Sequence, residues 1–390
     1  MNISSRVLRA AAAAAALLLA IRAPAAELSL NFYPTDGVWP YEVESARAMN
    51  GVLLQNIAII NRGNAPVTID GIGIDAVEDD TPVTTVRLGA ARLDAIAAQG
   101  SALAQSGMMQ ALDFQFAPDT LLGKGVAVSS SRTLQPGTAF FLAQQMLVFR
   151  GKPQSVRVRV TTADETDAVT ASLPIRNTSA PGTFRFPLQG RWFVGAGATA
   201  HSHHRWVIAE EFALDLLRIG EGGATYRGDG TRMKDYFAYG APVLASADGK
   251  VVKAHDKEAD NLDMLRRPEE TLAAFQQRLR EGQGKLLAAG PDAIAGNHVV
   301  VEHAGGVYSV YAHLKPGSVA VQLGDQVVAG QVIAKLGGSG NSTEPHLHFH
   351  LCDRADVLHC DGIPPVFANI EIPFSDWPRN LQTGDIVEAR

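Results

Sequence analysis

At 390 residues the chain is too long for one ordinary hydrophobic core, so two domains are expected. The composition is that of a globular protein, 46% hydrophobic and 19% charged, and its 37 glycines and 20 prolines favour turn-rich β architecture over helix bundles. A formal net charge of −6 argues against nucleic acid or an anionic membrane as the main partner.

Residues 1–25 read as a secretory signal peptide. Arg6 and Arg9 supply a positive start, Ala10 to Ile21 an apolar stretch, and Ala23-Pro24-Ala25 an A-x-A cleavage site. The apolar stretch is short for a membrane span, although an uncleaved N-terminal anchor is the competing reading. No second run of about twenty apolar residues follows, so the mature chain is expected to be secreted and not membrane-spanning.

Residues 26–176 carry short alternating or apolar runs divided by turn signals. Val52 to Ile60, Val67 to Ile72, a run from Leu134 to about Phe149, and Ser155 to Val160 all predict strands. Their spacing points to a β-sandwich of immunoglobulin-like type, interrupted by one helix over Ala90–Leu112. This domain contains no histidine and no catalytic constellation, so it reads as a packing, targeting or binding module. A linker over 177–195, rich in Pro and Gly at its start, separates it from a second domain over 196–390.

The second domain is again strand-rich: Phe212–Leu217, Pro242–Ala245, Lys250–Ala254, His298–His303, Tyr308–His313 and His346–Leu351. One helical insertion is expected over Pro268–Ala289. The Gly-rich loop at 337–340 lacks a following Lys-Ser/Thr and is no phosphate loop. The two cysteines, Cys352 and Cys360, stand close enough to close a small loop as a disulfide; a metal role beside His359 is the alternative.

All eleven histidines lie at or beyond His201. Period-two alternation on a strand puts His346, His348 and His350 on one face. Three adjacent imidazoles build a poor core, because each carries polar nitrogens that need partners, but they suit a transition metal and proton transfer beside it.

Several motifs come in a telling order. They are Gly240-Ala241-Pro242-Val243, Asn297-His298-Val299-Val300-Val301-Glu302-His303, Tyr311-Ala312-His313-Leu314, Gly324-Asp325-Gln326-Val327, Gly340-Asn341-Ser342 and Pro345-His346-Leu347-His348-Phe349. From about Phe212 to Leu351 this succession resembles the lysostaphin-like zinc metallopeptidases, which cleave peptide cross-links in peptidoglycan. The resemblance implies an antiparallel β-sheet metallopeptidase domain with Zn2+ as cofactor. It also implies Asp215 and His348 as zinc ligands and His313 and His346 as catalytic cleft histidines. Where that family carries its first histidine ligand, four residues before Asp215, this chain has Glu211. A carboxylate can bind zinc, so Glu211-Asp215-His348 is one ligand set. Alternatively His201, His203 or His204 folds back from upstream, with His204 the nearest in sequence. A third reading is that metal binding has been lost. His350, His298 and His303 read as structural or supporting groups.

The resemblance implies a zinc-dependent endopeptidase acting on peptidoglycan peptides in the periplasm or cell envelope, with the N-terminal domain available to a cell-envelope protein partner. The alternatives are a degenerate relative that binds cell wall or activates another hydrolase, and a secreted protease acting on proteins. The insertions at about 220–239 and 257–295 are expected to shape the cleft or to be padding.

Overall fold

In a computed structural model the described residues are 27–44, 47–163, 168–176, 182–373, 375 and 380–390. The signal-peptide reading of 1–25 and the linker residues 177–181 lie outside them.

Strands make up the N-terminal half. One sheet holds β1 (Leu28–Tyr33), β2 (Tyr41–Glu44) and β3 (Met49–Asn61). The other is built on β4 (Val67–Glu78) and β5 (Thr81–Gly89). Later in the chain come β6 (Ala127–Val128), β7 (Thr133–Leu134), β8 (Thr138–Arg150), β9 (Ser155–Thr162) and β10 (Val169–Pro174). The first sheet runs β1-β3-β8-β6 with β2 on β3, and the second runs β10-β9-β4-β5 with β7 on β4. Their ladders are antiparallel except the short β6–β8 pair.

The local sequence explains the layers. Val156, Val158 and Val160 of β9 alternate into the core, while Arg159 turns outward to Asp75 at 2.8 Å. β3 is apolar almost throughout because it is covered on both sides. Its Leu54, Ile57 and Ile59 meet the sandwich core, and Ala58 and Ile60 pack under a helical segment with Met109 and Leu121. The predicted helix is there over Ala90–Gln105; left-handed Gly107 ends it, and short turns follow. We keep the immunoglobulin-like assignment of this region as a proposal, supported by its two facing sheets.

The C-terminal half is organised by a ten-stranded sheet. It contains β11 (Gly190–Ala196), β12 (Leu214–Leu217), β14 (Gly249–His255), β15 (Asn297–His303) and β16 (Val307–Leu314). It also contains β17 (Gln326–Val327), β19 (Leu347–Cys352), β20 (Gly362–Ile363), β21 (Ile370–Glu371) and β22 (Ile386–Ala389). The order is β17-β14-β15-β16-β19-β12-β11-β22-β21, with β20 also on β19 and every ladder antiparallel. β13 (Pro242–Leu244) and β18 (Val332–Lys335) form a separate pair.

Two expectations shift here. Residues 190–195, read as linker, are most of β11: Trp192, Val194 and Ala196 alternate inward and make this stretch a sheet strand. The insertion helix occupies Leu272–Ala289, starting where the Thr271 hydroxyl caps the Ala274 N–H, and none of its residues is fully buried.

Candidate metal centre

The large sheet sorts its residues by parity. Leu214 and Leu216 of β12, Tyr311 of β16, and Leu347, Phe349 and Leu351 of β19 enter the main core on one face. The opposite face receives Asp215, Ala312, His348 and His350. Asp215 and His348 are direct cross-strand partners, as are Ala312 and His348, so three adjacent strands set this face. Ala312 keeps the position beside His348 small.

Asp215 is the hub. Its Oδ1 lies 3.0 Å from His348 Nδ1 and 3.3 Å from His346 Nε2, and its Oδ2 lies 2.9 Å from His204 Nε2. His348 Nε2 meets His350 Nδ1 at 3.0 Å. Glu210 approaches from the rim, with Oε2 at 3.1 Å from His204 Nδ1 and Oε1 at 3.9 Å from His348 Nε2. Three overlapping groups have ligand atoms within 4.8 Å of one another: His313-His346-His348, His203-His204-Asp215 and His204-Glu210-His348.

Glu211 does not join them. It turns the other way, accepting from Arg205 Nη1 at 3.2 Å and from Gln55 Nε2 of β3 at 3.2 Å. The expectation that Glu211 shares a face with Asp215 assumed strand parity, but residues 203–213 form a short 3-10 turn and loop, and β12 begins only at Leu214. The loop instead brings His204 to Asp215 and Glu210 to the cleft. His203 is largely exposed, 3.8 Å from Asp215 Oδ2, and His201 is exposed. Glu210 was missed by sequence reading; the acidic pair Glu210-Glu211 was the available signal.

His313 reaches the cleft by a departure from alternation. Ala312 already faces that side, so a regular strand would send His313 into the core. A left-handed backbone, with φ at 59°, re-aims the ring, and Nδ1 lies 2.9 Å from the Ser339 carbonyl oxygen. Its ring then stands 4.9 Å from that of His346 and 5.7 Å from that of His348. His346 Nδ1 is fixed 2.7 Å from the Glu344 carbonyl oxygen.

Electrostatics divides the histidines. Burial works to raise the Asp215 carboxyl, but charged His204 and His346 and their hydrogen bonds hold it well below the usual carboxylate range. Glu210 is lowered in the same way, against burial, by His204 and His348. Burial opposes charge on His204, yet Asp215 and Glu210 push it up to about 10, and Asp215 also raises His346. Burial, reinforced by neighbouring imidazoles, lowers His313 well below its ordinary value and His350 to about 3.

The remaining histidines serve elsewhere. His303 uses Nδ1 toward the Asp248 carbonyl at 2.9 Å and Nε2 toward Ser309 Oγ at 2.7 Å. His298 stacks on His255, 5.2 Å between ring centres. His359 contacts Asp113 and Asp356. Cys352 and Cys360 are joined as a disulfide, so neither thiol is free to ligate.

The cleft encloses about 170 Å³ and is lined by the cluster together with Gln283, Ile294, Ala295, Asn341 and Thr343. The insertion at 257–295 therefore contributes cleft wall. The insertion at 220–239 borders a neighbouring cavity with Tyr226 and Tyr236.

Residues 281–359 match Peptidase family M23. This match falls within the C-terminal half and overlaps the later part of the stretch from which the family resemblance was read. The match includes His313, His346 and His348. Peptidoglycan DD-endopeptidase ShyB of Vibrio cholerae is 38% identical over 83 residues, 20% of this chain and 19% of that protein. DD-carboxypeptidase/endopeptidase Mpg of Neisseria meningitidis is 46% identical over 54 residues, 14% of this chain and 12% of that protein. Cell division protein DipM of Caulobacter vibrioides is 31% identical over 136 residues, 35% of this chain and 16% of that protein. The chain thus spans less than a fifth of the length of each of these relatives.

Proposed function

We propose that this chain is a zinc-dependent metalloendopeptidase that hydrolyses peptide bonds of peptidoglycan in the periplasm or cell envelope, after removal of residues 1–25. The observation that carries the reading is the Asp215 carboxylate, met on one oxygen by His348 and on the other by His204. Two imidazoles and a carboxylate are a usual three-ligand set for catalytic zinc. Ligands ~2.0 Å from a tetrahedral ion stand ~3.3 Å apart, and Asp215 lies 2.9 Å from His204 and 3.0 Å from His348. The residues fit the ion, with His204, Asp215 and His348 as its holders and Glu210 and His350 beside them.

A zinc ion held there supplies Lewis acidity, polarising a carbonyl and acidifying water. The chain's own groups do the rest. His313, with Nδ1 held at the Ser339 carbonyl and its ring 5.7 Å from that of His348, is placed to accept a proton through Nε2. His346, whose Nε2 stands 3.3 Å from Asp215 Oδ1 and whose Nδ1 is held by the Glu344 carbonyl, is placed to stabilise developing negative charge or to protonate a leaving amine. The substrate class rests on the relatives, two of which bear names of peptidoglycan or DD-peptide endopeptidases.

The test is zinc content together with release of peptides from purified peptidoglycan by the mature chain. One equivalent of zinc and cleavage, both lost in His204→Ala, are expected. Zinc without cleavage of peptidoglycan would favour a cell-wall-binding or hydrolase-activating role.

A further inference from the structure

The loop that carries His204 and Glu210 is held from the other domain. Within 203–213 the side chains alternate between two destinations. His204 and Glu210 face the cleft, whereas their immediate neighbours Arg205 and Glu211 face the sandwich. Gln55 of β3 donates from Nε2 to the Arg205 carbonyl at 2.9 Å as well as to Glu211. Gln115 accepts the Ile208 N–H on Oε1 at 2.9 Å and donates to Gln55 Oε1 at 3.4 Å. Gln144 donates to the Trp206 carbonyl at 3.4 Å. The Arg205 guanidinium, fully buried, lies 3.9 Å from the ring centre of Tyr41 and bonds the Ala198 carbonyl at 2.8 Å.

We propose that the N-terminal domain is a structural part of the metal centre, with Gln55 and Gln115 as positioning residues that hold the His204 loop against Asp215. This rests on the zinc reading above. Domain adhesion alone does not call for such a network, because buried ion pairs and amides are often replaced by apolar residues without loss of stability. What amides add is direction: each lands on a backbone group one to four residues from His204, in a stretch with no strand pairing of its own. His348 and Asp215 need no such help, since the β12–β19 ladder sets them. The site thus has two ligands fixed by a sheet and one fixed across a domain seam. Supporting residues of this kind typically change metal affinity 10–100-fold.

The experiment measures the zinc dissociation constant of the mature full chain by chelator competition. Native protein is compared with Gln55→Leu, Gln115→Leu, Gln115→Glu and the sandwich-core truncation Ile74→Val. The two leucine variants are expected to bind zinc at least ~10-fold more weakly. Gln115→Glu keeps an acceptor for the Ile208 N–H but loses the donor to Gln55 Oε1, so it too should bind zinc more weakly, and Ile74→Val should stay near the native value despite its lower melting temperature. Native affinity in both folded leucine variants overturns the proposal, and so does an equal loss in Ile74→Val. Should the leucine variants fail to fold, Gln55→Ala and Gln115→Ala carry the test: faster zinc release to chelator supports the proposal, and an unchanged rate in both overturns it. A native chain that takes up no zinc removes the metal-centre reading itself, whereas tight native binding with indifferent variants removes only the role of the N-terminal domain.

Discussion

Asp215 and His348 face each other across adjacent antiparallel strands, with Oδ1 of one 3.0 Å from Nδ1 of the other. Backbone pairing therefore fixes their separation before any metal arrives. On the far side of His348 the cross-strand partner is Ala312, almost fully buried at the cleft floor. Ala312→Leu would push a larger side chain against the His348 ring. Overpacking of this kind costs about 1–3 kcal/mol. Thermal unfolding should report that loss, and metal analysis should find zinc uptake abolished in a protein that still folds.

Glu211 and His204 make opposite predictions. Glu211→Ala strands the buried Arg205 guanidinium, and breaking a buried pair costs about 3–5 kcal/mol. That variant should melt lower yet still take one equivalent at saturating zinc. His204→Ala strands the buried Asp215 and Glu210 carboxylates, so it should also melt lower, but it should lose the metal. Zinc loss in Glu211→Ala with retention in His204→Ala would reverse the ligand assignment.

His313→Ala and His346→Ala should keep zinc and lose turnover by about 10²–10⁴-fold, the range for removal of a proton-transfer group. Steady-state cleavage of a peptidoglycan fragment, with metal content measured on the same samples, separates the two effects. Near-native rates in both variants would remove these side chains from the chemistry.

Asp361 gives a pH signature away from the centre. Burial, and then the Asp353 charge, push its carboxyl up to about 6, and its buried Oδ1 has no hydrogen-bond partner. A folded pKa above the unfolded value of 3.8 means that the fold prefers the protonated form. Its contribution is fully present below about pH 4 and is lost as pH rises through 6. Asp361→Asn should therefore be more stable than the native chain at pH 8, by about 1–3 kcal/mol, with the gap closing near pH 4. Parallel stability curves at the two pH values would contradict this.

What the sequence made legible follows from periodicity. The alternation of His346, His348 and His350 survives in the structure because β19 is a regular strand with Leu347, Phe349 and Leu351 in the core. Glu211 misled because parity was applied to a segment that is a loop. Glu210 and His204 meet there through a turn whose shape depends on partners more than fifty residues away in sequence. His313 was expected at the cleft by family resemblance, but its left-handed backbone cannot be read from alternation. Gln55 left a faint trace as a polar residue inside the apolar run from Val52 to Ile60, a sign that something polar lay opposite.

The most direct measurement is zinc per mole of the purified mature chain, native against Asp215→Ala, after reconstitution and removal of loosely bound metal. The account predicts one equivalent in the native protein and none in the variant, because Asp215 joins His204 to His348. Equal zinc in both, or none in the native chain, would contradict it.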